Sequence, residues 1–290
     1  IKTNGDRYGI IKQINESEQA IFHHQTFAEY FACVWLKNNI KMFPSLKKSI
    51  FSEKYANLRL MFDIMLAENS PLHLSVLYKN LEEFKMHEKA AHNKDAGGRT
   101  ALHLLCTRGM IYPTIFTDDV RREHDWYVKM IRTLMTKNTN VHDKDSLFGF
   151  DYVHFSLEAK CLYPIELILE NELVKFDDLK DVIFEYYDCE TLACYAARMG
   201  YFNLFDALIK LLSSEQLQTG MEKFLLLAVR GTQNDTVTLL REGNIAVVKC
   251  ILESDSPFNK NRALGIDISR ILERAWKEGK HDMPGVLIKY

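Results

Sequence analysis

The 290-residue sequence lacks several patterns that would assign it to a functional class. Its apolar runs are short: FLLLAV at 224–229 is far below the ~20 residues that span a bilayer. No basic stretch followed by an apolar one opens the chain, so it shows no signal peptide. The formal net charge is only −2, which gives no overall attraction to nucleic acid or an anionic membrane. We therefore expect neither nucleic acid nor a membrane as a partner.

Motifs that bind metals or nucleotides are also missing from the sequence. None of the six cysteines forms a CxxC pair, no HExxH occurs, and no G-x-x-x-x-G-K-[ST] provides a phosphate cradle. We expect packed, reduced thiols in a cytoplasmic protein, with no metal and no cofactor bound by this chain alone. The chain has no initiator Met, and we expect it to be a piece of a longer protein.

The first 40 residues predict a β-hairpin followed by an amphipathic helix. YGIIKQI (8–14) and QAIFHH (19–24) read as strands on either side of a turn. Thr26 and Glu29 have the spacing of a T-x-x-E capping box at a helix start. Apolar residues then recur at helical spacing and predict one buried stripe, formed by Phe27, Tyr30, Phe31, Val34 and Trp35. A second helix is predicted around 55–67, with Leu58, Met61, Phe62, Met65 and Leu66 on one face.

A repeated pattern begins near residue 70. SPLHLSVLYKN (70–80) and TALHLLCTRG (100–109) start 30 residues apart. Weaker copies read FDYVHFSLEAKCLYPIELILE (150–170), TLACYAARMGYFNLFDALIKLL (191–212), FLLLAVRGTQNDTVTLLREGN (224–244) and LERAWKEGKHDMPGVLIKY (272–290). GNIAVVKCILES (243–254) fits either an extra helix or the outer helix of another frame. We count five to seven units. Such units stack because none can bury its apolar face alone.

The repeat pattern resembles that of ankyrin repeats, whose period is about 33 residues and whose motif is T-P-L-H-x-A. In this interpretation Ser70 and Thr100 cap helices, Pro71 suits a first turn, and Gly109 and Gly200 end helices in the left-handed conformation. His73, His103 and His154 recur at the histidine position of the motif and are expected to form hydrogen bonds between turns. The structural repeat residues are Ser70, Pro71, Leu72, His73, Thr100, Leu102, His103, Gly109, Thr191, Ala196, Ala197 and Gly200.

Residues 110–127 interrupt the repeats and are predicted to form a loop insertion. TIFTDDV (114–120) looks like an apolar strand that ends in paired acids, as in nucleotide hydrolases, but Pro113 and the missing phosphate cradle favour a loop. RREHDW (121–126) predicts a solvated stretch. Its Arg121, Arg122 and Trp126 are candidate partner contacts, because exposed arginine and tryptophan favour interfaces.

A second resemblance concerns FHHQTFAEYFA (22–32). It is similar to the motif that closes the nucleotide-binding module of NACHT-type signal-transduction ATPases (STAND proteins), with a departure at Gln25, where a basic residue is common. The resemblance implies that this segment comes from the winged-helix region and that His24 contacts the phosphate of bound ADP when the nucleotide-binding domain is present. An imidazole can donate a hydrogen bond to a phosphate oxygen, so the implied role is physically reasonable.

Together these patterns predict a mainly α fold: a degenerate ankyrin-repeat solenoid preceded by a β-hairpin and an amphipathic helix. The expected segments are a winged-helix remnant (1–40), a helical linker (41–68) and the solenoid (69–290). The expected function is a non-enzymatic protein–protein interaction scaffold or sensor of a NACHT–ankyrin protein. One alternative is the regulatory part of an ATP/ADP-dependent signalling switch whose ATPase lies upstream. Another is a stand-alone hydrolase hidden among irregular helices.

Overall fold

A computed structural model describes residues 11–14, 20–22, 24–107, 118–137, 142–172, 174–231 and 238–252. Over these residues the protein is mainly helical, in agreement with the sequence prediction. The chain divides into two compact units. The first comprises Ile1–Arg108 and Lys129–Lys160, and the second comprises Gly109–Val128 and Cys161–Tyr290.

Eight of the described helices lie wholly or partly in the first unit. They are α1 (Gln25–Asn39), α2 (Pro44–Ser49), α3 (Ala56–Ala67), α4 (Pro71–Leu77), α5 (Leu81–His87), α6 (Ala101–Thr107), α7 (Asp118–Thr136) and α8 (Tyr152–Glu158). Helix α7 contributes residues to both units. Two short strands, β1 (Ile11–Ile14) and β2 (Ala20–Phe22), pair in antiparallel fashion, with Ile11 opposite Phe22.

The starts of the short helices follow local capping rules. Pro71 occupies the first turn of α4, where its missing N–H costs nothing. Asn80 caps α5 by accepting from the backbone N–H of Glu83. Asp151 caps α8 by accepting from two backbone N–H groups. Ser70 precedes α4 as predicted but forms no side-chain cap bond, so the capping role expected for its hydroxyl is wrong.

The core of the first unit lies between α3, α4, α5, α6 and α8. Of the face predicted for α3, Phe62 and Leu66 are buried, whereas Met61 and Met65 are only partly covered. The other large apolar side chains buried in this unit include Leu72, Val76, Phe84, Leu102, Leu104, Leu105, Tyr152 and Phe155.

Arg99 forms a buried ion cluster in this core. Its side chain is 1% exposed and bonds two carboxylates, Asp63 on α3 and Asp95 in the loop before α6. The contact to Asp95 is a fork, with Nε at 2.9 Å and Nη2 at 2.7 Å from Oδ2. Burial on its own would lower the pKa of the guanidinium, but the two carboxylates outweigh it, and the pKa is raised. Arg99 therefore stays charged and joins α3 to the loop before α6.

The second unit also contains six helices beyond α8. They are α9 (Tyr163–Glu170), α10 (Phe176–Tyr186), α11 (Cys189–Met199), α12 (Phe202–Ile209), α13 (Ser214–Gly231) and α14 (Thr238–Leu252). Its core consists mainly of leucine, isoleucine, alanine and phenylalanine, including Ile165, Leu192, Ala196, Ala197, Leu204, Phe205, Phe224 and Val247. Because Thr238–Leu252 is one helix, the region around 243–252 continues the helix that begins at Thr238 and does not start a new one.

Buried polar side chains connect helices within this unit. The Glu166 carboxylate on α9 accepts from the backbone N–H groups of Asn203 (2.9 Å) and Leu204 (2.8 Å) and from the Asn203 amide. It thereby caps α12 from a neighbouring helix. Burial raises the pKa of Glu166 to about 7, although these hydrogen bonds oppose the rise. Asn244 on α14 donates to the carbonyl oxygen of Ala197 at 2.8 Å and so satisfies the end of α11.

The loop predicted for the insertion is wrong in its second half. Residues 118–127 are helical and form the first half of α7, whereas 110–117 lie outside the described residues. Asp118 and Asp119 therefore begin a helix and do not end a strand. The apolar residues further along, including Tyr127, Met130, Ile131 and Leu134, are buried at helical spacing. The long stretch of charged residues before Trp126 hid this pattern.

We expect Arg99→Met to lower the free energy of unfolding by about 3–5 kcal/mol, because it leaves two carboxylates buried without their partner. Lys85→Met is the matched control: its ion pair with Glu82 is exposed, and its loss costs at most about 1 kcal/mol. Urea denaturation of both variants measures the difference. Equal urea midpoints for the two variants would show that the cluster does not stabilise the unit.

We expect Glu166 to make the second unit less stable as pH rises. Its pKa rises from an ordinary 4.5 to about 7 on folding, so the native state holds the proton more tightly between these values. The stability from this group is complete below pH ~4.5 and is lost as pH rises through ~7, by about 3 kcal/mol at most. Melting temperature measured from pH 4 to 8 tests this. Glu166→Gln should flatten the profile and the exposed Glu185→Gln should not; a wild-type profile without this slope contradicts the prediction.

Candidate binding groove

Helix α1 begins differently from the sequence prediction. The N-cap is His24, whose Nδ1 accepts from the backbone N–H of Thr26 at 3.1 Å. Thr26 lies inside the first helical turn of α1, and the Glu29 carboxylate accepts from the Gln25 side chain at 2.7 Å. The predicted capping box is therefore wrong, since an imidazole nitrogen two residues before Thr26 provides the acceptor. His24 is exposed, and one of its two nitrogens is committed to the helix.

The predicted buried stripe of α1 is exposed. Phe27, Tyr30, Phe31, Val34 and Trp35 are 38–50% accessible, and together they form what we call the aromatic face. The buried residues of α1 are Cys33 and Leu36, on the opposite side. The Cys33 thiol lies 3.5 Å from the carbonyl oxygen of Leu58, so this narrower face is the one that packs on α3. Helical spacing identified the apolar stripe correctly, but α3 covers the other side of the helix.

The aromatic face is only partly shielded, and mainly by other aromatic rings. Phe31 contacts Phe22 and Tyr30, with ring centroids 5.8 and 5.6 Å apart. Trp35 contacts Phe43 at 5.2 Å, and Phe43 is itself exposed. Such pairs order the rings without removing them from solvent. The result is a continuous apolar surface on one unit.

One edge of the aromatic face borders a groove of about 760 Å³ within the first unit. Helix α1 forms one wall, α3 the floor and α4 the far wall. The lining consists of Tyr30, Val34, Lys37, Asn38, Met61, Ile64, Met65, Glu68, Leu74 and Tyr78. Most of these side chains are aliphatic, thioether or aromatic, with one cation and one anion. We refer to this feature as the groove.

None of the described repeat residues lines the groove, and those at the starts of α4 and α6 connect to two matched turns. The first turn runs through Asp95 and Gly98, and the second through Asp145 and Gly149. Each aspartate accepts from backbone N–H groups of its own turn, and each glycine adopts φ 74°. The backbone N–H of Ser146 donates to the carbonyl oxygen of Gly97 at 2.9 Å, so the second turn stacks on the first.

Two of the three predicted histidines form a hydrogen bond to the next turn along the chain. Nε2 of His73 donates to the carbonyl oxygen of Arg99, and Nε2 of His103 donates to that of Asp143, both at 2.8 Å. Nδ1 of His103 accepts from the backbone N–H of Thr100 at 3.1 Å. His154 differs, because its Nδ1 lies 2.9 Å from Asp151, the cap of its own helix. This contact leaves the inter-turn role expected for His154 as a prediction.

The remaining predicted repeat residues are mostly structural. Leu72, Leu102, Ala196 and Ala197 are buried. Gly200 ends α11 in the left-handed conformation, with φ 68° and ψ 27°. Thr191 is exposed, and its backbone N–H donates at 2.8 Å to Asp188, the cap of α11. Gly109 lies outside the described residues.

The predicted partner contacts Arg121, Arg122 and Trp126 lie in a helix, α7, and not in a loop. Trp126 is only 8% exposed, so its predicted role as an exposed contact is wrong. Arg121 and Arg122 belong to the helical stretch rather than to a loop. Sequence reasoning placed Trp126 on the surface because its neighbours are charged, although a helix turns it away from them.

Several residues important to the structure were missed in the sequence, chiefly Asp63, Asp95, Arg99, Asp145, Glu166 and Asn244. A signal existed for two of them. His-x-Lys-Asp occurs at 92–95 and again at 142–145, and both copies end in a turn aspartate. No local pattern marks Asp63, because its partner Arg99 is 36 residues away.

Two of the cysteines are buried thiols with raised pKa values. Burial raises the pKa of Cys33 to about 11 and that of Cys161 to about 12, so both thiols stay protonated near neutral pH. The six thiols, all within the described residues, form no disulfide. No group of three or more His, Cys, Asp or Glu side chains in the described part of the chain is placed to hold a metal.

Comparisons with known proteins do not identify the chain. No protein-family model, no curated protein and no solved structure matches it. Among the residues that the structure describes, no helix has the length and hydrophobicity required to cross a bilayer.

We expect His73 and His103 to make the first unit less stable in acid. Burial lowers the pKa of His73 and His103 below 6.5, so the native state binds fewer protons than the unfolded chain just below pH 6.5. Their contribution is complete above that pH and is lost as pH falls toward their native pKa values. The unfolding free energy of the first unit should therefore fall on acidification.

Urea denaturation at pH 5 and 7.5 measures this effect. His73→Gln/His103→Gln should have a smaller pH difference than the wild type, since glutamine keeps a donor but does not titrate. His92→Gln, at an exposed position, is the control and should behave as the wild type does. An unchanged pH difference in the double variant would exclude these two groups as the cause.

Proposed function

We propose that this chain is a non-enzymatic protein–protein interaction module and that the groove with the adjoining aromatic face is its binding surface. The observation that carries the proposal is the exposure of the aromatic face: five large apolar side chains on one helix stay 38–50% accessible beside a concave groove. Contiguous exposed apolar patches on folded proteins mark interaction sites.

The chemistry of the lining supports binding rather than catalysis. Aromatic residues and methionine are enriched at interfaces, because they bury a large area for few rotatable bonds or adapt their shape to a partner. The groove has Tyr30 and Tyr78 on its walls and Met61 and Met65 on its floor. Burial of apolar surface contributes about 25 cal/mol per Å², so covering such side chains provides a strong driving force. Such a surface binds by shape and dehydration.

We infer that the repeats are of the ankyrin type, as a scaffold that carries this surface. The support comes from the two matched turns, from the bonds of His73 and His103 to the following turn, and from the short helices α4, α6 and α8 that precede or follow them. Pro71 and the TALH sequence at 100–103 agree with the motif. In this interpretation each turn positions the next, which gives a rigid support for partner contacts.

The larger protein that we propose is of the NACHT–ankyrin type and cytoplasmic, with this chain as its scaffold or sensor. That part rests on the FHHQTFAEYFA resemblance at 22–32 and on the reduced thiols. The alternative is a nucleotide-dependent switch in which His24 meets a phosphate. Since Nδ1 of His24 accepts from Thr26, Nε2 would be its donor to that phosphate. This geometry agrees with the role.

Site-specific photocrosslinking tests the proposal. We expect benzoylphenylalanine at Tyr30 or Tyr78 to give a defined protein adduct in extracts of cells that make the protein, because both side chains border the groove. The same probe at Met86, which is 65% exposed on α5, should give no such adduct. Gel mobility and mass spectrometry identify the products. No adduct at either groove position, or the same adducts at all three, would contradict a protein-binding role for the groove.

A further inference from the structure

The charge beside the groove differs from that of the whole chain. Residues 37–59 contain five lysines and one arginine but a single acid, Glu53, in a protein whose net charge is −2. This segment leads from the end of α1 through α2 to the start of α3. It is therefore a local basic region next to the aromatic face.

Some of these cations are already used within the protein. Lys47 donates to the carbonyl oxygen of Phe148 at 3.2 Å, and Arg59 donates to that of Phe51 at 3.1 Å. Lys37, Lys41 and Lys54 are exposed. Lys37 lines the groove, and Lys41 follows one turn later along the chain. Lys37 is thus the cation that a partner in the groove would contact, and the exposed Lys41 lies just beyond the end of α1.

The shape of the groove selects among possible partners. Its walls are helices α1 and α4, and the described lining contains no strand edge to which an extended peptide could add. The floor presents Met61, Ile64 and Met65 from successive turns of α3, which suits apolar side chains spaced by three or four residues. A flat bilayer could cover the aromatic face but would not enter a concavity of about 760 Å³.

We propose that the groove binds an amphipathic helix of a partner protein, with its apolar stripe on α3 and acidic residues opposite Lys37 and Lys41. This inference rests on the proposed protein-binding function and adds the class of partner. Apolar burial provides the affinity, and the lysines fix the orientation of the helix and speed its association. Glu68, at the same groove, disfavours a helix that is acidic along its whole length.

Selection from a phage library of random peptides of roughly 16 residues, long enough for four helical turns, tests the proposal. The wild-type protein is the bait, and Tyr30→Glu is the counter-selection bait. We expect enriched peptides to carry apolar residues at i, i+3 or i+4, and i+7, with Asp or Glu toward one end. Their synthetic forms should become helical on binding, as circular dichroism measures.

Variants connect the selected peptides to the groove. Val34→Glu and Tyr30→Glu should each weaken binding by about tenfold or more, since both introduce a charge into a dehydrated contact. Lys37→Glu and Lys41→Glu should each weaken binding of acidic peptides by about threefold and reduce its salt dependence. Met86→Glu and Lys89→Glu lie on α5 and the turn after it, and serve as the apolar and charged controls.

Several outcomes would overturn the proposal. Enriched peptides that are basic or extended, or that bind equally well to the Lys37→Glu and Lys41→Glu variants, exclude an acidic helix. Failure of any peptide to be enriched over the counter-selection would also exclude an acidic helix. Co-sedimentation with phosphatidylserine vesicles that Lys37→Glu abolishes would assign the surface to a membrane instead. A protein adduct at Tyr30 together with any of these results would leave the binding function in place and remove only the partner class.

Discussion

The guanidinium of Arg99, held between two buried carboxylates, is the contact on which the first unit depends. Its side chain bonds Asp63 and Asp95, its backbone N–H also donates to Asp95, and its carbonyl oxygen accepts from His73. One residue therefore joins α3, α4 and the first turn. A charge buried to this degree is stable only when its partners are fixed, so the cluster makes their positions interdependent.

The groove is a consequence of this arrangement. Helix α3 directs Asp63 into the core and presents Met61 and Met65 on another side as the groove floor. Helix α1 rests on α3 through Cys33 and Leu36, and this orientation leaves the aromatic face outward. If α1 turned so that its larger apolar stripe packed on α3, both groove and aromatic face would disappear. The binding surface that we propose is thus exposed because α1 packs on α3 through its smaller apolar side, Cys33 and Leu36.

Local patterns predicted the elements better than their environments. The helices near 25–39 and 56–67 and the repeat positions of His73 and His103 could be predicted, because spacing and turn chemistry are properties of neighbouring residues. The mispredicted environments include the cap at Thr26, the burial of the α1 stripe and the exposure of Trp126. The cap was changed by the neighbouring His24, whereas packing decided the burial of the stripe and of Trp126. The second half of the insertion was missed since charges masked its helical spacing.

The sequence by itself determined that the protein is mainly helical, because its apolar residues recur at helical spacing. It also predicted a repeat, because SPLH at 70–73 and TALH at 100–103 share a pattern with a histidine at the same position. Only the tertiary structure decided which side of α1 is covered, that Asp63 meets Arg99 and which helix Glu166 caps. These outcomes depend on residues 25 to 38 positions apart, such as Cys33 and Leu58 or Glu166 and Leu204. No local pattern encodes such pairs, since they arise only when helices pack.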